Sequence, residues 1–165
     1  MENRIAVCNS SPIINLSKIH KLGLLKLLFR KVIIPNAVYD ELFGNTEYIN
    51  GSNEIKELIE DGTIEVKSVA DINLVKVLRD ELDYGESEVI ALALEEKADI
   101  VIIDELEARK KAELFNLKKT GFIGLLIKAH KLNYIGDFIE LLDIAIDKGF
   151  WINKNLYNRI CKDFE

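Results

Sequence analysis

Cysteine, histidine and proline are all scarce in this 165-residue chain, and each shortage narrows the chemistry open to it. The two cysteines, Cys8 and Cys161, stand far apart with no C-x-x-C spacing. A disulfide framework or a thiolate zinc site is therefore unsupported, and both read as free, mostly buried thiols. The two histidines, His20 and His130, lie outside any H-E-x-x-H or H-x-E pattern, which argues against histidine-based zinc chemistry. Long apolar runs are also missing. They reach only about four to eight residues before a charge interrupts them, well short of the roughly 20 needed to cross a bilayer. The start, Met1-Glu2-Asn3-Arg4, lacks the h-region and small-residue cleavage site of a signal peptide, so the expectation is a cytoplasmic protein with no membrane span. Neither of the glycine-rich phosphate loops, G-x-x-x-x-G-K-S/T and G-x-G-x-x-G, occurs, and there is no G-x-S-x-G nucleophile elbow.

What the chain does have is apolar residues, at 48%, in a length that suits one buried core and is short for two. The formal charge is −6, but it is segregated. Residues 80 to 107 carry eleven acids against the single cation Lys97. Residues 109 to 131 carry seven cations (Arg109, Lys110, Lys111, Lys118, Lys119, Lys128 and Lys131) against Glu113. An acidic pocket edged by a basic strip suits work on a polyanion, with cations filling the pocket and the strip holding phosphates. Solvated helix faces are the plainer alternative.

Short β-branched runs alternate with helical patterns, which predicts an α/β fold: a mostly parallel sheet of four to five strands between layers of helices. The expected strands are Ile5 to Cys8, Lys31 to Ile34, Ile64 to Val66 and Ile100 to Ile103, with Phe150 to Ile152 a weaker fifth. Pro12, after the cap candidate Ser11, opens a helix carrying Ile13, Leu16 and Ile19. A second helix follows Gly23 through Leu28. Pro35 opens another to about Leu42, and Gly44 to Gly51 is the most loop-like stretch. Further helices are expected over Ser52 to Glu60, from Gly85 to near Lys97, from about Glu105 to Phe115, and from about Phe122 to Phe164 with breaks at Gly136 and Gly149. One domain is expected over residues 1–165, with a core of about 4–130 and a helical extension of about 131–165. The stretch Ile13 to Phe29 is richer in Leu and Ile than one helical face needs, which fits either two buried core helices or a homodimer surface.

Two observations locate a candidate site. Asn9 and Asp104 each follow an unbroken apolar strand, so both stand at strand carboxyl ends, where open parallel sheets bind ligands. Glu41 and Glu86 fall in slots that helical periodicity reserves for the core: Glu41 three residues after Val38, Glu86 three and four before Val89 and Ile90. A carboxylate drawn toward the core needs a partner, a proton or a metal. Two carboxylates about 4 Å apart repel by roughly 4 kcal/mol at an effective dielectric near 20, so a cluster must protonate or bind cations. Hard oxygen ligands without imidazole or thiolate suit Mg²⁺ or Mn²⁺. Each residue also has a plainer role open to it. Asp104 would cap the following helix in a capping box with Glu107, Asn9 and Ser10 would form a turn, and Glu86 would serve the helix dipole. Glu41 has the weakest such alternative, because an acid late in a short helix opposes the dipole.

The ordered pieces Val7-Cys8-Asn9-Ser10-Ser11-Pro12, Ile34-Pro35-Asn36-Ala37-Val38-Tyr39-Asp40-Glu41-Leu42, Gly85-Glu86-Ser87-Glu88-Val89-Ile90-Ala91-Leu92-Ala93 and Val101-Ile102-Ile103-Asp104-Glu105 resemble the PIN domain. The branch indicated is the prokaryotic one that begins with a strand and N/D-S-S-P. The tail, through Thr120-Gly121-Phe122-Ile123-Gly124-Leu125-Leu126 and Gly149-Phe150, is similar too. The resemblance implies hydrolysis of RNA with Mg²⁺ or Mn²⁺. In many relatives it also implies a toxin role in which an antitoxin protein blocks the acidic pocket. It places the four site acids at Asn9, Glu41, Glu86 and Asp104, and an orienting hydroxyl at Ser11. Glu105 or Glu107 would stand for an additional acid, and Arg109 would meet a phosphate or pair with Glu105 or Glu113. Asn9 takes the place of the usual first aspartate, leaving three acidic ligands. The leading expectation is a metal-dependent endoribonuclease; the alternative is a module catalytically weakened by Asn9 that binds RNA or a protein partner. A phosphoacceptor signalling domain would need an acid pair after the first strand, which Asn9-Ser10 does not supply.

Overall fold

The computed structural model describes residues 3–44 and 49–164. Its strands form one parallel sheet: β1 (Ile5–Cys8), β2 (Lys31–Pro35), β3 (Ile64–Lys67), β4 (Ile100–Ile102) and β5 (Lys119–Thr120), in the order β3-β2-β1-β4-β5. The near-continuous apolar character of β1, β2 and β4 follows from burial on both faces, as helices cover a parallel sheet above and below. The chain runs from β1 outward to β2 and β3, then returns to place β4 on the other side of β1. That reversal makes the gap between the carboxyl ends of β1 and β4 the topological switch point, the crevice where such sheets bind ligands.

The helices are α1 (Ser10–Lys18), α2 (Leu24–Leu28), α3 (Asn36–Phe43), α4 (Ile49–Glu60), α5 (Ile72–Leu78), α6 (Tyr84–Glu95), α7 (Leu106–Leu114), α8 (Phe122–Lys131), α9 (Phe138–Asp147) and α10 (Lys154–Asp163). Together with the sheet they make a three-layer α/β domain. The helix α6 is buried without a break from Gly85 to Ala93, and it packs against β1, β2, β4 and α3. Phe138, Leu142 and Ala145 of α9 and Ile160 of α10 join the same core. No described helix is long and apolar enough to cross a membrane.

Several expectations require correction. The fifth strand is Lys119–Thr120, not Phe150 to Ile152. The Phe150 N–H is held by Ala145 O at 2.9 Å and its ring packs on Phe122 with centroids 4.7 Å apart, so that segment forms a loop over α8. Asn9, not Ser11, occupies the N-cap position of the first helix, without a side-chain cap bond, and Pro12 falls at the third helical position, still within the turn that has no intrahelical use for its N–H. The helix α5, started by Asp71 accepting from Leu74 N at 3.0 Å, was not anticipated. Of the loop expected over Gly44 to Gly51, residues 45–48 lie outside the described residues, and Ile49 to Gly51 already belong to α4. Within Ile13 to Phe29, Ile13, Leu16, Ile19, Leu22, Leu24, Leu25, Leu28 and Phe29 are buried in the chain's own core, whereas Leu27 is 44% exposed.

Candidate active site

The two central strands deliver their next residues straight into the switch-point crevice. Cys8 pairs with Ile102, and Asn9 N donates to Ile102 O at 3.0 Å, which sets Asn9 beside the end of β4. Asn9 is only 3% exposed. Its Nδ2 donates to Glu105 Oε2 at 3.3 Å, and Ser11 Oγ donates to the other oxygen, Oε1, at 3.0 Å. Because a carboxylate only accepts, the amide must turn its nitrogen toward Glu105 and its oxygen away. That oxygen, Asn9 Oδ1, is buried and has no hydrogen-bond partner.

Asp104 shows the same division between its two oxygens. Oδ1 accepts from Phe122 N at 2.9 Å at the start of α8, whereas Oδ2 is buried without a partner. The side chain therefore does not cap α7, whose cap position is Glu105, and the expected box with Glu107 is absent. Gly121 makes the arrangement possible, since a methyl there would strike Asp104 Oδ1 and approach Arg109 Nη1. Burial raises the Asp104 carboxyl above the ordinary range; the Phe122 N–H pulls it down, Glu105 pushes it further up and Arg109 again lowers it.

Glu41 and Glu86 approach from α3 and α6. Ser10 Oγ donates to Glu41 Oε2, and the Glu41 carboxylate lies against Gly85, where any side chain would collide with it. The core-facing slot expected for Glu41 is not where it sits: the residue is exposed, at the rim of a cavity of about 520 Å³ shared with Ser10, Ile14, Asp40 and Tyr84. Desolvation still raises its carboxyl, opposed by the Ser10 hydroxyl and reinforced by Asp83 and Glu105. Glu86 is buried and closes a capping box with Asp83, accepting from Asp83 N at 3.1 Å while Glu86 N donates to Asp83 Oδ1 at 2.7 Å. Its carboxyl is raised by burial first, lowered by the Asp83 N–H, and raised again by Asp83, Glu105 and Glu41. Glu86 thus both serves the helix terminus and lies in the field of the other acids.

Glu105 links these groups. Its charge bears on Asp104, Glu41 and Glu86, and it reaches the buried Cys8 thiol, which desolvation raises most. Glu107 lies apart, exposed and paired with Lys110 at 2.9 Å. Arg109 bonds neither Glu105 nor Glu113: its Nη1 donates to Ile103 O at 2.8 Å, beside Asp104. The basic strip is partly neutralised, with Lys111 bridged to Glu81 at 2.6 Å and Lys119 to Glu113 at 3.4 Å. Sequence reasoning also passed over Glu88, which is buried and accepts from Ala37 N at 2.9 Å, satisfying an orphan N–H in the first turn of α3. The capping spacing Asp83-x-x-Glu86 was the signal available for Asp83.

Among the described residues, no three His, Cys, Asp or Glu side chains converge closely enough to enclose an ion as they stand. The donor set nevertheless fits a hard cation. Asn9 Oδ1 and Asp104 Oδ2 are acceptors sealed from water and without a donor, which is costly unless something electron-poor meets them.

The parallel α/β domain thus carries Asn9, Asp104 and Glu105 at the switch point between β1 and β4, with Glu41 and Glu86 approaching from α3 and α6. A PIN-domain profile matches residues 5–165, and the chain belongs to the PIN-domain family, whose members are generally nucleases that use divalent metals. No curated protein matches the sequence.

Proposed function

We propose that this chain is a metal-dependent endoribonuclease that hydrolyses RNA phosphodiesters with Mg²⁺ or Mn²⁺. The observation that carries the proposal is the pair of buried, unpartnered oxygens, Asn9 Oδ1 and Asp104 Oδ2, at neighbouring strand ends. Asp104 Oδ2 and Asn9 Oδ1 would hold the cation, with Glu86 and Glu41 contributing charge nearby. A bound divalent ion supplies Lewis acidity, lowering the pKa of water and neutralising charge on the phosphodiester. The protein's own groups do the positioning. The Phe122 N–H fixes Asp104, Glu105 fixes the Asn9 amide, and Ser10 fixes Glu41. In this reading Glu41 would take a proton from an attacking water, a role supported by its position at the cavity rim and its raised carboxyl.

The direct test is cleavage of end-labelled RNA with Mn²⁺ by the parent and by Asp104→Asn. Loss of at least about a hundredfold is expected, in line with removing a group on which charge stabilisation depends. Equal cleavage by both preparations would mean contamination and would sink the enzyme reading. A second reading, a weakened module that binds RNA or a protein, is favoured by the uncharged Asn9 and by the lack of three converging acids. It predicts Mn²⁺-independent RNA binding with no cleavage. A toxin role belongs to the same proposal, with an antitoxin covering the acidic mouth. Growth arrest on expression, lost in Asp104→Asn, is its expected sign.

A further inference from the structure

The site does not end at Asp104. A cleft of about 510 Å³ opens beside it, lined by Asp104, Arg109, Lys119, Phe150, Trp151 and Leu156 among others. Trp151 is the only tryptophan of the chain and is 80% exposed, the most exposed large hydrophobic residue among the described residues. An indole of that size normally gains from burial, so one held open on a cleft wall is an unusual use of apolar surface.

The loop between α9 and α10 accounts for its presentation. Gly149 takes φ +101°, a conformation that L side chains rarely adopt, and turns the chain out of α9. Phe150 is then anchored inward, by its N–H to Ala145 O and its ring against Phe122, and three residues later Asn153 caps α10 by accepting from Asn155 N at 2.8 Å. Trp151 lies between these two fixed points, with its neighbours Phe150 and Ile152 both partly buried. The anchoring keeps the indole outside without leaving the loop loose.

We propose that this cleft is a nucleotide subsite for single-stranded RNA: an unpaired base next to the scissile phosphate stacks on Trp151, and its backbone lies against Arg109 and Lys119. This rests on the ribonuclease reading of the adjoining acids and assigns the side chains beside them that would hold the neighbouring nucleotide. Charge complementarity selects the occupant. The cleft pairs two cations with an open aromatic face, the combination that binds single strands without regard to sequence, whereas paired bases offer no free face for stacking. The Lys119–Glu113 contact is long, at 3.4 Å, and Glu113 is 72% exposed against 23% for Lys119, so the glutamate can leave to solvent while the lysine, which lines the cleft, meets a phosphate.

Because Trp151 is the sole tryptophan, its fluorescence reports the subsite directly. The full chain in EDTA would be titrated with fluorescently labelled 2′-O-methyl oligoadenylate, following tryptophan quenching and, separately, label anisotropy. The proposal expects saturable quenching that tracks anisotropy. An abasic oligomer of the same length should bind more weakly and leave the tryptophan unquenched, and a duplex should do the same. Trp151→Ala should bind the base-bearing oligomer about tenfold more weakly, and Arg109→Ala should flatten the salt dependence. Trp151→Phe, which keeps an aromatic face, should retain most of the affinity. Binding without quenching, equal binding by Trp151→Ala, or no binding would each overturn the subsite. So would quenching that depends on protein concentration alone, which would assign the face to a second copy, or quenching only by a partner polypeptide. The ribonuclease reading is judged separately by Mn²⁺-dependent cleavage of unstructured RNA: cleavage without quenching removes the subsite and leaves the enzyme, whereas quenching without cleavage does the reverse.

Discussion

Asp104→Asn is informative before any substrate is added. In the parent, Asp104 Oδ2 is buried without a donor and within the field of Glu105, while Oδ1 is already served by Phe122 N. The asparagine keeps an oxygen for Phe122 and removes a charge that burial and Glu105 disfavour, while its own N–H groups gain no assigned acceptor. Relief of that buried charge should outweigh the new unpaired donors and stabilise the metal-free protein by about 1–2 kcal/mol. For a domain of this length each kcal/mol moves the midpoint by about 2–4 °C, which gives a rise of about 2–8 °C in EDTA. Thermal unfolding followed by circular dichroism measures it. Added Mn²⁺ should then invert the order. At a hundred times its dissociation constant a ligand stabilises the folded parent by about 2.7 kcal/mol, and Asp104→Asn should lose most of that gain. A metal-free variant less stable than the parent would refute the argument that Oδ2 waits for a cation. An undiminished Mn²⁺ shift would refute the assignment of Asp104 as its holder.

Other consequences are checkable in the same way. Glu41, Glu86 and Asp104 are all raised chiefly by burial and so bind protons more readily folded than unfolded. In EDTA, stability should therefore fall as pH rises from about 4 through their raised values, and Mn²⁺ should reverse the trend at neutral pH. Asp61, an exposed group lowered to about 2 by Thr63 and Lys26, works in the opposite sense and limits stability only as pH falls toward 2. Midpoints that climb steadily to pH 7 without metal would contradict this. Gly121→Ala should cost about 1–3 kcal/mol and weaken Mn²⁺ binding, because its methyl displaces Asp104 from the Phe122 N–H; unchanged calorimetric affinity would show that this placement is unimportant. Glu105→Gln and Ser11→Ala should couple by about 0.5–3 kcal/mol in a double-mutant cycle, whereas strict additivity would deny the Ser11–Glu105 bond a structural role.

The sheet was readable wherever a strand was an unbroken apolar run, and Ile5 to Cys8 and Lys31 to Ile34 needed only a residue's adjustment at most. Lys119–Thr120 escaped because a two-residue edge strand of polar residues has no apolar pattern to betray it. Glu86 was correctly read as buried, but the periodic argument behind it was weaker than it looked. The helix α6 is covered all round, so burial there singles out no one face, and the equally buried Glu88 serves α3 instead. Glu41 shows the converse: a core-side slot on a short helix is exposed, although its carboxylate lies against Gly85. The resemblance offers Glu105 only as one of two stand-ins for an additional acid, and its linking place is not visible in local sequence. Its partners Ser11 and Asn9 lie 94 and 96 residues away, and only the β1–β4 pairing brings them together.

The account depends most on a cation meeting the two orphaned oxygens, and a crystal soaked in Mn²⁺ and measured at the manganese absorption edge tests that without recourse to activity. It should show an anomalous peak within roughly 2.0–2.6 Å of Asp104 Oδ2 and Asn9 Oδ1, with a carboxylate of Glu86 or Glu41 drawn toward it. A crystal that binds no manganese there, with both oxygens hydrogen-bonded to ordered water instead, would contradict it.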